Sequence, residues 1–394
     1  MTRDPLAFAR QALRRLPAAL RRQERCFAPC GEGLRADGAK GRRPLLDFSS
    51  NDYLGLAQAG EDGNGPGGMT VGGGAGASPL ITGLRPVHQQ LREALCGWLG
   101  RERVFLFPSG FQANVSVMAA LADRRCLVLA DRLCHHSLLL GVRASGAVMQ
   151  RFAHNDLGDL ERRLVEARQR RPQQRLLVVS ESLFSMEGAS PDVAGLAGLC
   201  GRFGALLVLD EAHALGVLGP MGRGLAWGCP HVHVVVGAFG KALGSGGAMV
   251  AVDGVLGDYL LQFCGGYRYS TALAPALAAA TLANLQRLPG LEPERQALLA
   301  RARQLRQRLV DLGYPRPPGH GPVVPILVGD EEAAMALQQR LEEAGLLVAA
   351  IRPPTVPRGA ARLRVALRRG QPPHAVDTLV QTLLTGQHVT GQNR

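Results

Sequence analysis

Apolar segments alternate with helix-like segments through the middle of the chain. Mainly apolar segments at residues 104–107, 126–130, 148–152, 176–180 and 205–209 predict buried strands. Amphipathic segments at residues 87–99, 109–122, 135–144, 156–168 and 193–203 predict the helices around them. Repeated βα units with strands that are apolar on both faces are typical of a mostly parallel sheet covered by helices on both faces. We therefore predict an α/β fold that binds its ligands beyond the carboxyl ends of the strands.

The chain has 394 residues, which is long enough for two domains. Helical patterns at residues 256–271 and 275–312 follow the alternating region. Strand patterns at 323–328, 346–350 and 361–366 then mix with helical patterns at 331–344 and 375–384. We predict an N-terminal helical segment with a short strand (1–48), a large domain (49–287) and a small C-terminal α+β domain (288–394).

Composition excludes several classes of protein. No apolar run approaches the roughly 18 to 20 residues that a membrane span needs, and the first residues lack the apolar core of a signal peptide. We therefore expect no membrane association and a cytoplasmic location. The eight cysteines form no Cys-x-x-Cys pair, so we expect no metal site. The net charge of +13 leaves a nucleic-acid-binding protein as the alternative from another class. However, the arginines are spread along the chain and only 5% of residues are aromatic, so we expect no nucleic-acid partner.

One lysine stands out in this arginine-rich chain. Only Lys40 and Lys241 are lysines, and Lys241 follows a predicted strand at 232–236 and precedes another at 248–252. A lysine amine can lose its proton and form an imine with a carbonyl compound, whereas an arginine side chain cannot. A chance lysine in a loop remains the alternative when this stretch is taken alone.

Further residues at predicted strand ends match the parts of one cofactor. Asp210 could pair with a protonated ring nitrogen, and His213, three residues later, could reach the same ligand. Gly110-Phe111 opens a helix whose amides could hold a phosphate, and His135 opens another helix where its ring could stack on a flat ligand. Each of these features is common by chance. Together with Lys241, they match the aldehyde, ring nitrogen, ring face and phosphate of pyridoxal 5'-phosphate.

Several motifs carry a resemblance that covers nearly the whole chain. They are Ser49-Ser-Asn-Asp-Tyr-Leu-Gly55, Ser109-Gly-Phe-Gln-Ala-Asn114, Asp131-Arg-Leu-Cys-His-His-Ser137, Arg151-Phe-Ala-His-Asn-Asp156, Phe184-Ser-Met-Glu-Gly188, Asp210-Glu-Ala-His213, Phe239-Gly-Lys241 and Ala350-Ile-Arg-Pro-Pro-Thr-Val-Pro357. With these motifs the sequence resembles the α-oxoamine synthases, which are fold-type I pyridoxal-phosphate-dependent transferases. The resemblance implies that fold, an acyltransferase activity and a homodimer.

The resemblance also implies the chemistry and the residues that perform it. The member of the family that the sequence most resembles joins L-alanine to a pimeloyl thioester, on coenzyme A or a carrier protein, with loss of carbon dioxide, in biotin biosynthesis. Catalysis is assigned to Lys241, His135 and Asp210. Cofactor binding is assigned to Lys241, Gly110, Phe111, His135, Ser185, Asp210, His213 and Thr271. Substrate binding is assigned to Arg21, Asn51, His135, Thr355 and Arg364. The alternative within the family is a sister enzyme that joins glycine to a short acyl-CoA.

Two departures from the family pattern affect the expected site. Ala238 stands where the family usually has a threonine that contacts the phosphate, so Thr271 of the partner subunit or Ser245 would have to supply a replacement. Residues 59–70 are too rich in glycine and acidic side chains for the helix that the family places there. A fold of this kind that has lost its activity is therefore a further alternative.

Overall fold

The computed structural model describes residues 4–36, 43–57 and 72–390. Contacts divide the chain into two compact units. The first contains Met1–Ser50, Arg301–Pro318 and Val323–Arg394, and the second contains Asn51–Ala300 and Gly319–Pro322. The segment without a helix that we predict at 59–70 lies outside the described residues. The three-domain division at residues 48 and 287 stays a prediction.

The second unit is built on a seven-stranded sheet with the strand order β4-β10-β9-β8-β7-β5-β6. Its strands are β4 (Arg103–Phe107), β5 (Leu127–Asp131), β6 (Val148–Phe152), β7 (Leu176–Glu181), β8 (Ala205–Asp210), β9 (Val234–Ala238) and β10 (Ala248–Val252). Strands β6, β5, β7, β8 and β9 pair in parallel, and β10 is antiparallel to both β9 and β4. This arrangement confirms the mostly parallel sheet.

Helices connect these strands and are α2 (Pro86–Leu99), α3 (Gly110–Leu121), α4 (His136–Ser145), α5 (Leu157–Arg170), α6 (Val193–Phe203), α7 (Gly254–Phe263), α8 (Gly265–Arg268) and α9 (Pro275–Arg287). Local sequence sets their ends. Ser109, Asp156 and Asp192 accept hydrogen bonds from first-turn amides as N-caps of α3, α5 and α6. The apolar faces of α3 and α4 pack on the sheet in one core cluster that includes Val117, Leu138 and Val208.

The first unit contains several small sheets and their helices. Its strands are β1 (Phe27–Cys30), β2 (Gly33–Ala36), β3 (Leu46–Asp47), β11 (Val323–Gly329), β12 (Leu346–Leu347), β13 (Ala349–Ile351) and β14 (Ala361–Ala366). They form a β1-β2 hairpin, a β11-β14-β13 sheet and a parallel β3-β12 pair. Helices α1 (Ala7–Arg15), α11 (Glu331–Glu343) and α12 (Pro373–Thr390) accompany them, and α10 (Glu292–Asp311) follows a 3-10 turn at Leu288–Leu291.

Two sequence predictions are wrong in detail, and one hairpin was missed. The helix predicted for residues 256–271 ends at Arg268, so Thr271 lies in an extended segment. The strand predicted for 346–350 is divided into β12 and β13, which join different sheets. The β1-β2 hairpin was missed because its strands alternate poorly in polarity and β1 contains Pro29. Within the described residues, no helix combines the length and the apolar composition that crossing a bilayer requires.

Candidate active site

Lys241 lies in a turn between β9 and β10. The turn is closed by hydrogen bonds from the Phe239 amide to the Gly247 carbonyl and from the Ser245 amide to the Phe239 carbonyl, each 2.9 Å. Lys241 is half-buried, and its carbonyl accepts a bond from the Gly244 amide. Because β9 is parallel to β8, the turn follows the same edge of the sheet at which β8 ends.

Asp210 is the last residue of β8 and is only 6% exposed. Its two carboxylate oxygens are held from different directions. Oδ1 accepts the amide of Ala212 at 2.8 Å, and Oδ2 accepts Nδ2 of Asn114 at 2.7 Å. Bonds to both oxygens fix the plane of the carboxylate.

His213 lies buried near Asp210 in the sequence and bonds to a tyrosine. The Nδ1 atom of His213 is 2.7 Å from the hydroxyl oxygen of Tyr53, and that hydroxyl also lies 3.3 Å from Oδ1 of Asn51. Two predicted site residues, His213 and Asn51, are therefore joined through Tyr53. We did not assign Tyr53 a role from the sequence, although it belongs to the motif at residues 49–55.

His135 is the N-cap of α4. Its Nδ1 atom accepts the amide of Ser137 at 3.3 Å and lies 2.7 Å from the Ser137 hydroxyl oxygen. Desolvation lowers the pKa of His135 most strongly, the charge of Asp210 raises it, and the positive charge of Lys241 lowers it. The charges of Asp210 and Lys241 thus both act on the His135 ring, which brings the three predicted catalytic residues into one electrostatic environment.

A buried carboxyl group, Glu181, completes this edge and was missed by the sequence analysis. Glu181 ends β7, pairs in register with Asp210 and accepts the backbone amide of His135. Burial raises its pKa well above the ordinary value, with a further contribution from Asp210. A protonated Glu181 would spare the site a second negative charge beside Asp210. Its position at a strand end is the same signal that identified Asp210.

The first turn of α3 lies beside Ala238. A Cβ atom on Gly110 would be 3.5 Å from the Cβ of Ala238, so the end of β9 contacts the start of this helix. The amides of Gly110 and Phe111 belong to the first turn, where backbone N–H groups have no intrahelical acceptor and the helix dipole is positive. The exposed ring of Phe111 is 6.4 Å from the ring of His135.

Other predicted cofactor residues lie in nearby loops of the same unit. Ser185 is half-buried in a tight loop, closed by a bond from the Gly188 amide to the Phe184 carbonyl at 2.8 Å. Thr271 is exposed. The Ser245 hydroxyl donates to the carbonyl of Leu277 at 3.0 Å, so this suggested replacement for the missing threonine already has an acceptor.

Three predicted substrate residues lie in the other unit. Arg21 and Thr355 belong to one cluster, in which Arg352 donates to the Arg21 carbonyl at 2.8 Å and Arg22 donates to the Thr355 hydroxyl at 3.1 Å. Burial, followed by the charge of Arg22, lowers the pKa of Arg352. Arg364 is buried in the middle of β14, between β11 and β13. The sequence analysis named neither Arg22 nor Arg352 as part of this cluster.

The residues of the second unit fit pyridoxal phosphate by their donor chemistry. The site offers an amine at Lys241, a carboxylate at Asp210 and helix-end amides at Gly110 and Phe111. Asn114 adds a further indication, because its buried Oδ1 atom has no hydrogen-bond partner among the described residues, although both bonds of its Nδ2 face the site residues Asp210 and Ser137. Buried polar atoms usually have partners, so an unpaired one beside these residues is consistent with a bound group that would complete its hydrogen bonding.

Known proteins are similar to this chain in both sequence and fold. Residues 43–383 match the family model "Aminotransferase class I and II". An 8-amino-7-oxononanoate synthase of Chromohalobacter salexigens is 44% identical over 92% of this chain and 96% of its own length. The protein of that name from Marinobacter nauticus is 41% identical over 98% of this chain and 97% of its own length.

Solved structures show the same fold. A Sphingomonas wittichii serine palmitoyltransferase superposes with a TM-score of 0.85 and 27% identity over 98% of each chain. The 8-amino-7-oxononanoate synthase of Francisella tularensis superposes with a TM-score of 0.72 and 24% identity, over 89% of this chain and 99% of its own. The fold and the sequence together define a class: the chain belongs to the aminotransferase class I and II family, and to the 8-amino-7-oxononanoate synthases within it. The predicted fold class and the predicted family are confirmed.

Proposed function

We propose that this chain is a pyridoxal-phosphate-dependent acyltransferase that condenses L-alanine with a pimeloyl thioester, forming 8-amino-7-oxononanoate, carbon dioxide and free thiol in biotin biosynthesis. The full-length likeness to synthases of that name supports the reaction. One structural observation carries the proposal: Lys241 follows β9 at the same sheet edge where Asp210 ends β8, because these two strands are parallel. The full-length relatives disfavour the glycine-using alternative.

Each predicted site residue of the second unit has a role in this scheme. When bound, pyridoxal phosphate supplies an aldehyde that can bind an amine covalently and a ring that accepts electrons. Lys241 would bind the aldehyde and, once displaced by the substrate amine, take the proton from the alanine α-carbon. Asp210, fixed at both oxygens, would keep a proton on the ring nitrogen. His213 and Ser185 would contact the phenolic oxygen, and His135 would pack against the ring.

The phosphate and the substrates would be held by further residues. The first-turn amides of Gly110 and Phe111 would bind the phosphate without the threonine hydroxyl that Ala238 lacks. Asn51 would face the substrate, and Arg364 would bind the amino-acid carboxylate. For the acyl chain, Arg21 and Thr355 remain our proposal, with Arg22 held in place by its bond to Thr355. A guanidinium matches a carboxylate in charge and geometry.

We also propose a homodimer in the cytoplasm. Ile81 and Tyr269 are 75% and 78% exposed, and the segments next to them are joined by a bond from the Ala272 amide to the Ala77 carbonyl. Exposed apolar side chains on these two adjoining segments suit contact with a second copy of the chain, whose Thr271 would contribute to the phosphate site. Mixing Thr271→Ala and Lys241→Ala chains tests this sharing, because mixed dimers would contain one site free of both changes.

The central test is the cofactor linkage of Lys241. The purified chain should show a yellow absorbance band that borohydride removes, with the cofactor mass left on the Lys241 peptide. In Lys241→Ala this added mass should be absent, and turnover should fall by about two to four decades. Lys241→Arg tests whether a positive charge at this position is sufficient. Assays with L-alanine or glycine, each with pimeloyl-CoA or acetyl-CoA, separate the two reactions. Normal turnover by Lys241→Ala would refute the scheme.

A further inference from the structure

Asn114 lies buried between two residues of the site. It is 3% exposed, and its Nδ2 atom donates to Asp210 Oδ2 at 2.7 Å and to Ser137 Oγ at 3.0 Å. A side-chain NH2 group has two protons and accepts no hydrogen bond. Both bonds therefore run outward from Asn114, one to each partner.

Ser137 accepts a hydrogen bond from Asn114 and in turn donates one to His135. Its hydroxyl oxygen accepts the Asn114 bond and lies 2.7 Å from His135 Nδ1. Its backbone amide also points at Nδ1, at 3.3 Å. A backbone N–H can only donate, so Nδ1 must be an acceptor, and the hydroxyl proton of Ser137 is the second donor to it. A neutral His135 held this way carries its proton on Nε2.

The charged and titratable groups around the His135 ring also affect whether it is neutral or positively charged. Lys241 and His136 disfavour a positive charge on His135, as does desolvation, whereas Asp210 favours it. Glu181 accepts the His135 amide, and burial raises the pKa of its carboxyl group. Donation into Nδ1 from two groups stabilises the neutral ring further, because a proton on Nδ1 would break both bonds.

We propose that Asn114 and Ser137 are positioning residues that tie the His135 ring to the Asp210 carboxylate and hold His135 as the neutral Nε2–H tautomer. In the reaction, and here the inference rests on the proposed function, His135 then serves as a hydrogen-bond donor to a substrate oxygen and not as a base. The same amide that orients the carboxylate orients the imidazole, so a change at Asn114 alters both. Asn114 acts through these two groups and does not take part in the chemistry itself.

The test reads the tautomer directly by nitrogen NMR. The full-length chain, labelled with 15N at its ten histidines, is measured with cofactor bound and after its removal, and a His135→Gln chain assigns the His135 signals. We expect an unprotonated Nδ1 and a protonated Nε2 in both forms. In Ser137→Ala the Nδ1–H share should rise about fivefold, since one hydrogen bond to Nδ1 is lost. Asn114→Ala should shift it in the same direction.

A matched control separates positioning from general loss of packing. Thr281→Val removes another buried hydroxyl, which donates to the Leu277 carbonyl at 2.7 Å within α9, and should leave the His135 tautomer unchanged. A proton on Nδ1 in the unaltered chain would overturn the proposal, and so would a Ser137→Ala tautomer equal to that of Thr281→Val. If Ser137→Ala fails to fold, the unaltered chain and Asn114→Ala decide. Because the reading after cofactor removal needs no turnover, a failed condensation assay would refute the function and leave this result standing.

Discussion

Gly224 stands where a side chain would displace a buried carboxylate. Its φ is +87°, and a Cβ atom at this position would overlap the carboxylate of Glu211. Gly228, four residues later, has a similar φ of +76°, and a Cβ atom there would meet none of the described residues within 4 Å. Alanine at the two sites therefore imposes the same backbone strain, but only Gly224→Ala must also move Glu211.

The structure indicates how much more stability Gly224→Ala should lose than Gly228→Ala. Alanine in the left-handed region costs about 1–2 kcal/mol, and this applies to both variants. The Glu211 Oε1 atom accepts the amides of Leu225 at 2.7 Å and Ala226 at 3.1 Å. Losing both bonds to a buried carboxyl group adds about 3 kcal/mol or more. Gly224→Ala should therefore lose about 4–5 kcal/mol of unfolding free energy, and Gly228→Ala about 1–2 kcal/mol.

Urea unfolding followed by circular dichroism measures both variants against the unaltered chain. Cofactor affinity provides a second reading, because Glu211 directly follows Asp210 in the chain and its displacement should weaken binding only in Gly224→Ala. Equal losses of stability in the two variants would refute the reasoning, since they would show that the Glu211 carboxylate does not fill the space beside Gly224.

Three further predictions concern charge and hydrogen bonding. Burial raises the pKa of Glu211 from 4.5 to about 7. Between these two pH values the folded chain holds a proton that the unfolded chain has lost, so the free energy of unfolding falls as pH rises through that range. Glu211→Gln should remove this fall of about 3 kcal/mol, which urea unfolding from pH 5 to 8 would measure. Ala238→Thr should tighten pyridoxal phosphate binding about tenfold by restoring a phosphate hydrogen bond. Ala238→Val has a similar shape but no hydroxyl, so its affinity should not increase. Equal affinities of the two variants in a cofactor titration would contradict the prediction. Arg306 is 4% exposed and donates to the carbonyls of Pro318 and Val323, so Arg306→Ala should lower the free energy of unfolding by about 3 kcal/mol. The same change at the exposed Arg303 of the same helix should lower it by under about 0.5 kcal/mol. Similar melting temperatures of the two variants would show that these buried bonds add nothing to stability.

Local patterns in the sequence were sufficient for most elements of the second unit. The strands predicted at 148–152 and 248–252 have the observed bounds, and the others differ by one or two residues. Short, mainly apolar segments between helical patterns depend little on distant contacts, which is why the sequence was sufficient to predict these strands. The strand predicted at 232–236 begins two residues later, at Val234, because pairing with β8 and β10 sets its ends.

The sequence also indicated which residue types would meet, since residues at the carboxyl ends of parallel strands share one edge. Lys241, Asp210 and His135 were recognised this way. It could not show the connections among them. Asn114 lies 96 residues from Asp210 in the chain and Tyr53 lies 160 residues from His213, so their bonds exist only after the sheet has formed.

The sequence by itself thus determined the α/β class and the chemical groups available for catalysis, because these follow from periodicity and residue type, and its motifs carried the resemblance to the family. Tertiary structure alone decided that β10 runs antiparallel between β4 and β9 and that Glu181 lies beside Asp210. It also set the direction of the hydrogen bonds from Asn114 to His135. Strand order, burial and hydrogen-bond direction depend on which distant segments pack together, and no local pattern records that choice.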